Sequence, residues 1–258
     1  KQSCDTYFYE IARKLGVDRL KETAIKFGLG EKVLKGVFKN EKKGLMPSTK
    51  WKKDTLGKSW VIGETLITGI GQGYIQTTPL QLCLMTAQIA NGGYKIEPKI
   101  TINGEEDSIE DIKLMIKKNS ENLKEKKKSL VNATEQLFGL IKEKKYKRLY
   151  KDSKNIKIVQ NAMFASTNEL RGTSYKSRIE NPKYQFAGKT GTAQVKRITE
   201  RDRELDLRTI DIPYNDRDHA LYVAFGPYKK PRYSLSIVIE HGGSGSSAAA
   251  PIAKRLFK

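Results

Sequence analysis

Cysteine is almost missing from this sequence: Cys4 and Cys83 are the only two among 258 residues. Two thiols so far apart build no disulfide framework and leave the cellular compartment open. Each reads as a small buried apolar residue. Histidine is equally scarce, with His219 and His241 alone. No Cys/His zinc spacing exists, so no metal site is expected, and both histidines read as structural residues beside strands. A run of about 18 apolar residues is also lacking, which excludes a membrane span inside the chain. No secretory signal pattern is present. The abrupt passage from Lys1-Gln2-Ser3 into an apolar segment is the start expected of a piece of a longer protein.

Acidic residues are in deficit, 29 against 49 Lys and Arg, for a formal net charge of +20. Such a surplus marks a nucleic-acid binder when it is clustered. Here it is spread: residues 1–60 already carry 15 basic and 7 acidic residues. No aromatic RNA-binding signature accompanies it, so no nucleic acid partner is expected. A spread basic surface suits the neighbourhood of an anionic membrane or polymer. The glycine-rich stretch Gly69-Ile70-Gly71-Gln72-Gly73-Tyr74 lacks the G-K-[ST] ending of a phosphate loop and the spacing of a dinucleotide fingerprint. Phosphate binding is set aside there, and no cofactor is expected.

The patterning that remains is that of a folded domain. Helical spacing places Phe8, Ile11, Ala12 and Leu15 on one face, and a second helix follows over 17–27. Residues 31–62 read as a basic loop. Thr78-Pro79 opens a strong helix through about residue 90, apolar enough to be a core helix. A short strand is expected over 94–98. Residues 105–155 are rich in Lys and Glu with helical apolar spacing, an insertion of amphipathic surface helices. A helix over 156–165 precedes a turn at Gly172-Thr173-Ser174. Residues 198–217 read as a charged loop. Strands over 220–225 and 233–240 flank a Gly-Pro turn and form an antiparallel hairpin. Residues 242–246 read as a flexible joint before a terminal helix over 248–257. Helices, then antiparallel strands, then a last helix make an α+β arrangement.

The chemistry gathers at residues 187–195, Ala-Gly-Lys-Thr-Gly-Thr-Ala-Gln-Val. As a strand, this segment turns Thr190 and Thr192 to the same side. Gly191 leaves the backbone bare between them, and Lys189 adds an ammonium at the same edge. Together they suit a small carboxylate at the end of an extended peptide, which could pair with the edge as an added strand. A second polar group, Ser3-Cys4-Asp5, stands at the mouth of the first helix, where its side chains could equally be caps.

S-x-x-K, S-D-N and K-T-G are the joint signature of serine β-lactamases and penicillin-binding proteins. This chain has a form of the second and an intact third. Residues 3–9, 69–82 and 187–195, with Asp218-His219-Ala220 leading into a strand, resemble class B penicillin-binding proteins in order and context. The resemblance covers nearly the whole chain apart from 105–155. Asp5 stands where the family usually has Asn, a form similar to the elongation-specific branch. S-x-x-K is absent: no serine has a lysine three residues later.

The resemblance implies a penicillin-binding/serine β-lactamase-like transpeptidase fold, an antiparallel sheet flanked by helices. Residues 1–258 would be its C-terminal portion, incomplete on the N-terminal side. It implies a peptidoglycan D,D-transpeptidase that cross-links stem peptides through a serine acyl-enzyme, with the nucleophile upstream, and that is a target of β-lactam antibiotics. Lys189, Thr190, Gly191 and Thr192 would receive the terminal carboxylate, and the Thr192 N–H would be an oxyanion donor. Ser3 and Lys189 would relay a proton to the leaving amine, and Asp5 would position substrate. A D,D-carboxypeptidase or β-lactamase, which gives the acyl group to water, stays open. So does a non-catalytic penicillin-recognising or docking module of the elongation machinery. Partners implied are a membrane glycosyltransferase and rod-elongation scaffold proteins. The location implied is the periplasmic face of the inner membrane, anchored by an N-terminal segment outside this chain.

Overall fold

The computed structural model describes residues 1–34, 38–98, 147–150, 152–196 and 211–258. The unit described below is formed by residues 1–97 and 148–258. Its elements are α1 (Asp5–Leu15), α2 (Val17–Lys26), α3 (Thr49–Leu56), α4 (Ile62–Gly69), α5 (Pro79–Ala90), α6 (Ser153–Asn168), β1 (Ala187–Ala193), β2 (His219–Gly226), β3 (Tyr233–Ile239) and α7 (Ala250–Leu256).

Local chemistry sets the helix ends. Gly16 takes φ 79°, which separates α1 from α2. At α5, Thr78 Oγ1 accepts from the Gln81 N–H at 3.2 Å, and Gln81 Oε1 accepts from the Thr78 N–H at 3.0 Å. With Pro79 in the first turn, this capping box fixes the start. The buried positions of α5 are Gln81, Thr86, Gln88 and Ile89, so its polar residues lie deeper than its sequence suggests. They are satisfied there: Gln81 Nε2 donates to the carbonyls of Glu31 and Lys43, and Gln88 Nε2 to that of Phe27. α5 thus clamps the segments that follow α2.

Several expectations are corrected. Residues 31–62 include α3, capped by Ser48, whose Oγ accepts from the Trp51 N–H at 3.1 Å. Residues 94–98 form no strand; Tyr94 makes a single bridge to Arg148. On α1, Ala12 is buried against Gly69, but Phe8 and Ile11 are exposed. Cys4 is exposed at the N-cap of α1, and Cys83 is half-buried with its Sγ 3.3 Å from Ser234 Oγ. Residues 242–246 are not a loose joint, because Gly245–Ala249 form a packed π-helical turn leading into α7. The helical insertion read over 105–155 lies outside the described residues as far as 146. Most of the charged loop read over 198–217 lies outside them too.

Lys52 of α3 is 5% exposed and ion-pairs with Glu64 of α4. Glu64 also accepts from the Val61 N–H at 3.0 Å. Burial pushes the Glu64 pKa up, but the Lys52 and Val61 hydrogen bonds outweigh it and hold the carboxyl below its ordinary value. A depressed folded pKa gives stability above the unfolded value, which is lost as pH falls through the folded one. Urea unfolding should therefore show stability falling on acidification below about pH 4.5, and falling less in Glu64→Gln. An identical acid limb in both proteins would remove this pair from the account.

The sheet order is β1-β2-β3, antiparallel throughout. Alternation along β2 feeds two cores. Ala220, Tyr222 and Ala224 pack with Phe186, Ala249, Ala250 and Ala253, so α7 and its lead-in cover that face. Phe225, with Ala187 of β1, packs with Phe27, Ile89, Ile156 and Met163, so α5 and α6 contribute to the cover of the other face. The outer edge of β1 pairs with no strand among the described residues.

Candidate active site

The two ends of the site are brought together by a strap. The Thr173 N–H donates to the Lys1 carbonyl at 3.3 Å, and Lys1 ion-pairs with Glu169. These contacts lay residues 1–3 beside β1. Ser3 takes φ 50°, a left-handed conformation that costs a non-glycine residue about 1 kcal/mol. Asp5 follows in the first turn of α1.

Lys189 Nζ donates to Ser3 Oγ at 2.6 Å, to the Thr190 carbonyl at 2.7 Å and to Thr190 Oγ1 at 3.4 Å. An ammonium has three donors, and all three meet oxygen. Burial pushes the Lys189 pKa down, and the Asp5 carboxylate partly opposes this. Ser3, Lys189 and Thr190 are therefore in contact, and Asp5 acts on Lys189 through its charge.

The register shows which backbone groups of β1 are free. Gly191 pairs with Leu221. The Gly191 nitrogen and oxygen and the Leu221 oxygen crowd one point, within 3.2 Å of where a Gly245 Cβ would stand. Gly191 thus faces β2, and its neighbours Thr190 and Thr192 present their N–H and C=O groups to the open edge. Thr192 is exposed, with its N–H directed to the open edge and its carbonyl accepting from Gln72 Nε2 at 2.8 Å.

Several contacts at the site escaped the sequence reading. Thr190 Oγ1 donates to Thr173 Oγ1 at 3.2 Å, and Thr173 Oγ1 lies 3.1 Å from Ser166 Oγ. Close by, Tyr222 Oη meets Ser174 Oγ at 2.9 Å and Thr167 Oγ1 at 3.0 Å. Residues 172–174, read only as a turn, thus anchor the floor of the site. Gln72 lies in the glycine-rich stretch that contributes to the family resemblance but was given no side-chain role; a polar side chain between two glycines was the available signal. His219 and His241 are structural partners: the His241 N–H donates to His219 Nδ1 at 2.9 Å.

Comparison with known proteins identifies the family. The family model described as "Penicillin binding protein transpeptidase domain" matches residues 1–258. The peptidoglycan D,D-transpeptidase MrdA of Salmonella typhimurium is 31% identical over 258 residues, covering 100% of this chain and 36% of the relative. MrdA of Acinetobacter baumannii is 33% identical over 256 residues, covering 99% and 33%. The chain thus spans about a third of these relatives' length. Among solved structures, PBP2 in its complex with MreC from Helicobacter pylori aligns with a TM-score of 0.72 at 29% identity, covering 99% of this chain and 38% of that one. Pseudomonas aeruginosa PBP2 in complex with WCK 5153 aligns at 0.67 with 32% identity, covering 98% and 46%. By the match along its whole length, the chain belongs to the penicillin-binding protein transpeptidase family.

Proposed function

We propose that this chain is the C-terminal portion of the transpeptidase domain of an elongation-specific peptidoglycan D,D-transpeptidase. One observation carries the reading: Ser3 and Lys189, 186 residues apart in sequence, meet at an open strand edge. In this reading a serine from a segment outside the chain attacks the penultimate carbonyl of a stem peptide ending in D-Ala-D-Ala. The bond to the terminal D-Ala breaks, that residue leaves as its amine, and the serine keeps the acyl group. The amine of a second stem peptide attacks the ester, forms the cross-link and frees the serine.

The residues present fit named roles. Lys189, Thr190 and Thr192 hold the terminal carboxylate by charge-assisted hydrogen bonds along the bare backbone of Gly191. The Thr192 N–H stabilises the oxyanion. Ser3 and Lys189 pass a proton to the leaving amine, and the depressed Lys189 pKa suits a group that must give up a proton. Asp5 orients substrate and moderates the charge balance at Lys189. β-Lactam antibiotics enter at the same edge. The PBP2–MreC complex of a relative supports a rod-elongation scaffold as partner. A membrane glycosyltransferase and a location at the periplasmic face of the inner membrane, through an anchor outside this chain, belong to the same proposal.

The test is gel labelling with a fluorescent penicillin. The full-length protein should be labelled on a serine outside residues 1–258, and the isolated chain not at all. Labelling of the isolated chain would reveal a nucleophile within it. A folded full-length protein that stays unlabelled at concentrations saturating a control transpeptidase would favour a non-catalytic docking module.

A further inference from the structure

We propose that Gln72 is a displaceable cap on the substrate edge of β1, standing in for a backbone N–H of the bound peptide. The inference rests on the transpeptidase reading above and adds a residue that selects among ligands.

Among the outward carbonyls on the β1 edge are those of Thr190 and Thr192, and the chain satisfies both. Lys189 Nζ takes the first at 2.7 Å, and Gln72 Nε2 takes the second at 2.8 Å. In an antiparallel pair, two directly opposed residues exchange both of their N–H···O bonds. A peptide whose reactive carbonyl accepts from the Thr192 N–H must therefore direct the N–H of that same residue at the Thr192 carbonyl. Gln72 occupies that acceptor.

The mount of the cap is fixed, while its tip is free to leave. Gly71 and Gly73 flank it at φ 82° and 78° and fold the backbone tightly around it. The Gln72 N–H donates to the Ile67 carbonyl at 3.1 Å, and the Gly71 N–H to that of Thr68 at 3.0 Å, which ties the loop to the end of α4. The side chain reaches from there to a solvent-exposed partner 120 residues away. Its amide exchanges the Thr192 carbonyl for water when the peptide arrives. Ligands that bring an N–H to this position recover the lost hydrogen bond, and those that do not must leave the cap in place or the carbonyl bare.

The experiment measures second-order acylation constants of the full-length protein with two probes. Benzylpenicillin carries an acylamino N–H beside its reactive carbonyl, whereas imipenem carries a hydroxyethyl group there. Removing the cap in Gln72→Leu should raise the benzylpenicillin constant about threefold to tenfold, the scale of one neutral hydrogen bond, and leave the imipenem constant unchanged. Gln72→Asn is one methylene too short to reach and should act in the same direction, which guards against a folding defect peculiar to leucine. A fall for both probes, an equal change for both, or no change for either would overturn the cap. A wild-type protein acylated by neither probe would instead overturn the transpeptidase reading itself.

Discussion

Replacing Lys189 by alanine in the full-length protein should slow acylation by penicillin by about 100- to 10,000-fold. In the proposed reading the side chain is a carboxylate partner and a proton shuttle, and it also clamps Ser3, since its Nζ reaches Ser3 Oγ and both oxygens of Thr190. Lys189→Arg should rescue little, because a guanidinium keeps its charge but does not release its proton near neutral pH. Thr192→Ala should cost far less, about tenfold, because the oxyanion donor is backbone and survives. Acylation kinetics with a fluorescent penicillin rank all three. If Lys189→Ala is acylated at near wild-type rate while remaining folded, the assignment of this site fails.

The second large effect is on stability and comes from a glycine outside the motif. A methyl group at Gly245 would stand 2.4 Å from the Leu221 oxygen and 2.7 Å from the Gly191 oxygen. Both obstacles are backbone atoms in the middle of a paired sheet, so no rotamer change relieves them. Gly245→Ala should destabilise the protein by ~3 kcal/mol or more, at the upper end of overpacking penalties. The strain falls on Gly191, so penicillin acylation should drop as well. Urea unfolding measures the first effect. A loss below about 1 kcal/mol would mean that the turn at Gly245–Ala249 yields easily and does not brace the strand.

Gly245 also illustrates where sequence reading stops. Gly-Gly-Ser-Gly-Ser-Ser has the same composition whether it swings in solvent or lies pressed against a strand, and only the neighbours distinguish the two. The hairpin of β2 and β3 was legible because its apolar runs end at a Gly-Pro turn. The antiparallel pairing of β1 with β2 is shown by the strand register. The meeting of Ser3 with Lys189 was legible because their motifs occur together in one family. α3 was not: its sequence, Thr-Lys-Trp-Lys-Lys-Asp-Thr-Leu, reads as surface because the residue it turns inward is Lys52. That lysine belongs inside only because Glu64 waits on another helix. Thr173 and Gln72 escaped for a related reason, since their partners Thr190 and Thr192 lie 17 and 120 residues away. Local periodicity carries no information about such pairings.

The capping of the β1 edge matters in a crowded solution as well as in the proposed catalysis. An edge strand with bare carbonyls and amides is a template for any other extended chain, including another copy of the same protein. In the proposed reading this edge has to stay open to peptide and so cannot be closed by another strand or a covering helix. Here the carbonyls of Thr190 and Thr192 are already engaged by Lys189 and Gln72. A stray strand gains little by displacing them, and it must settle beside a half-buried cation. The edge is thereby kept from zippering to its own kind while remaining accessible to a short peptide that ends in a carboxylate.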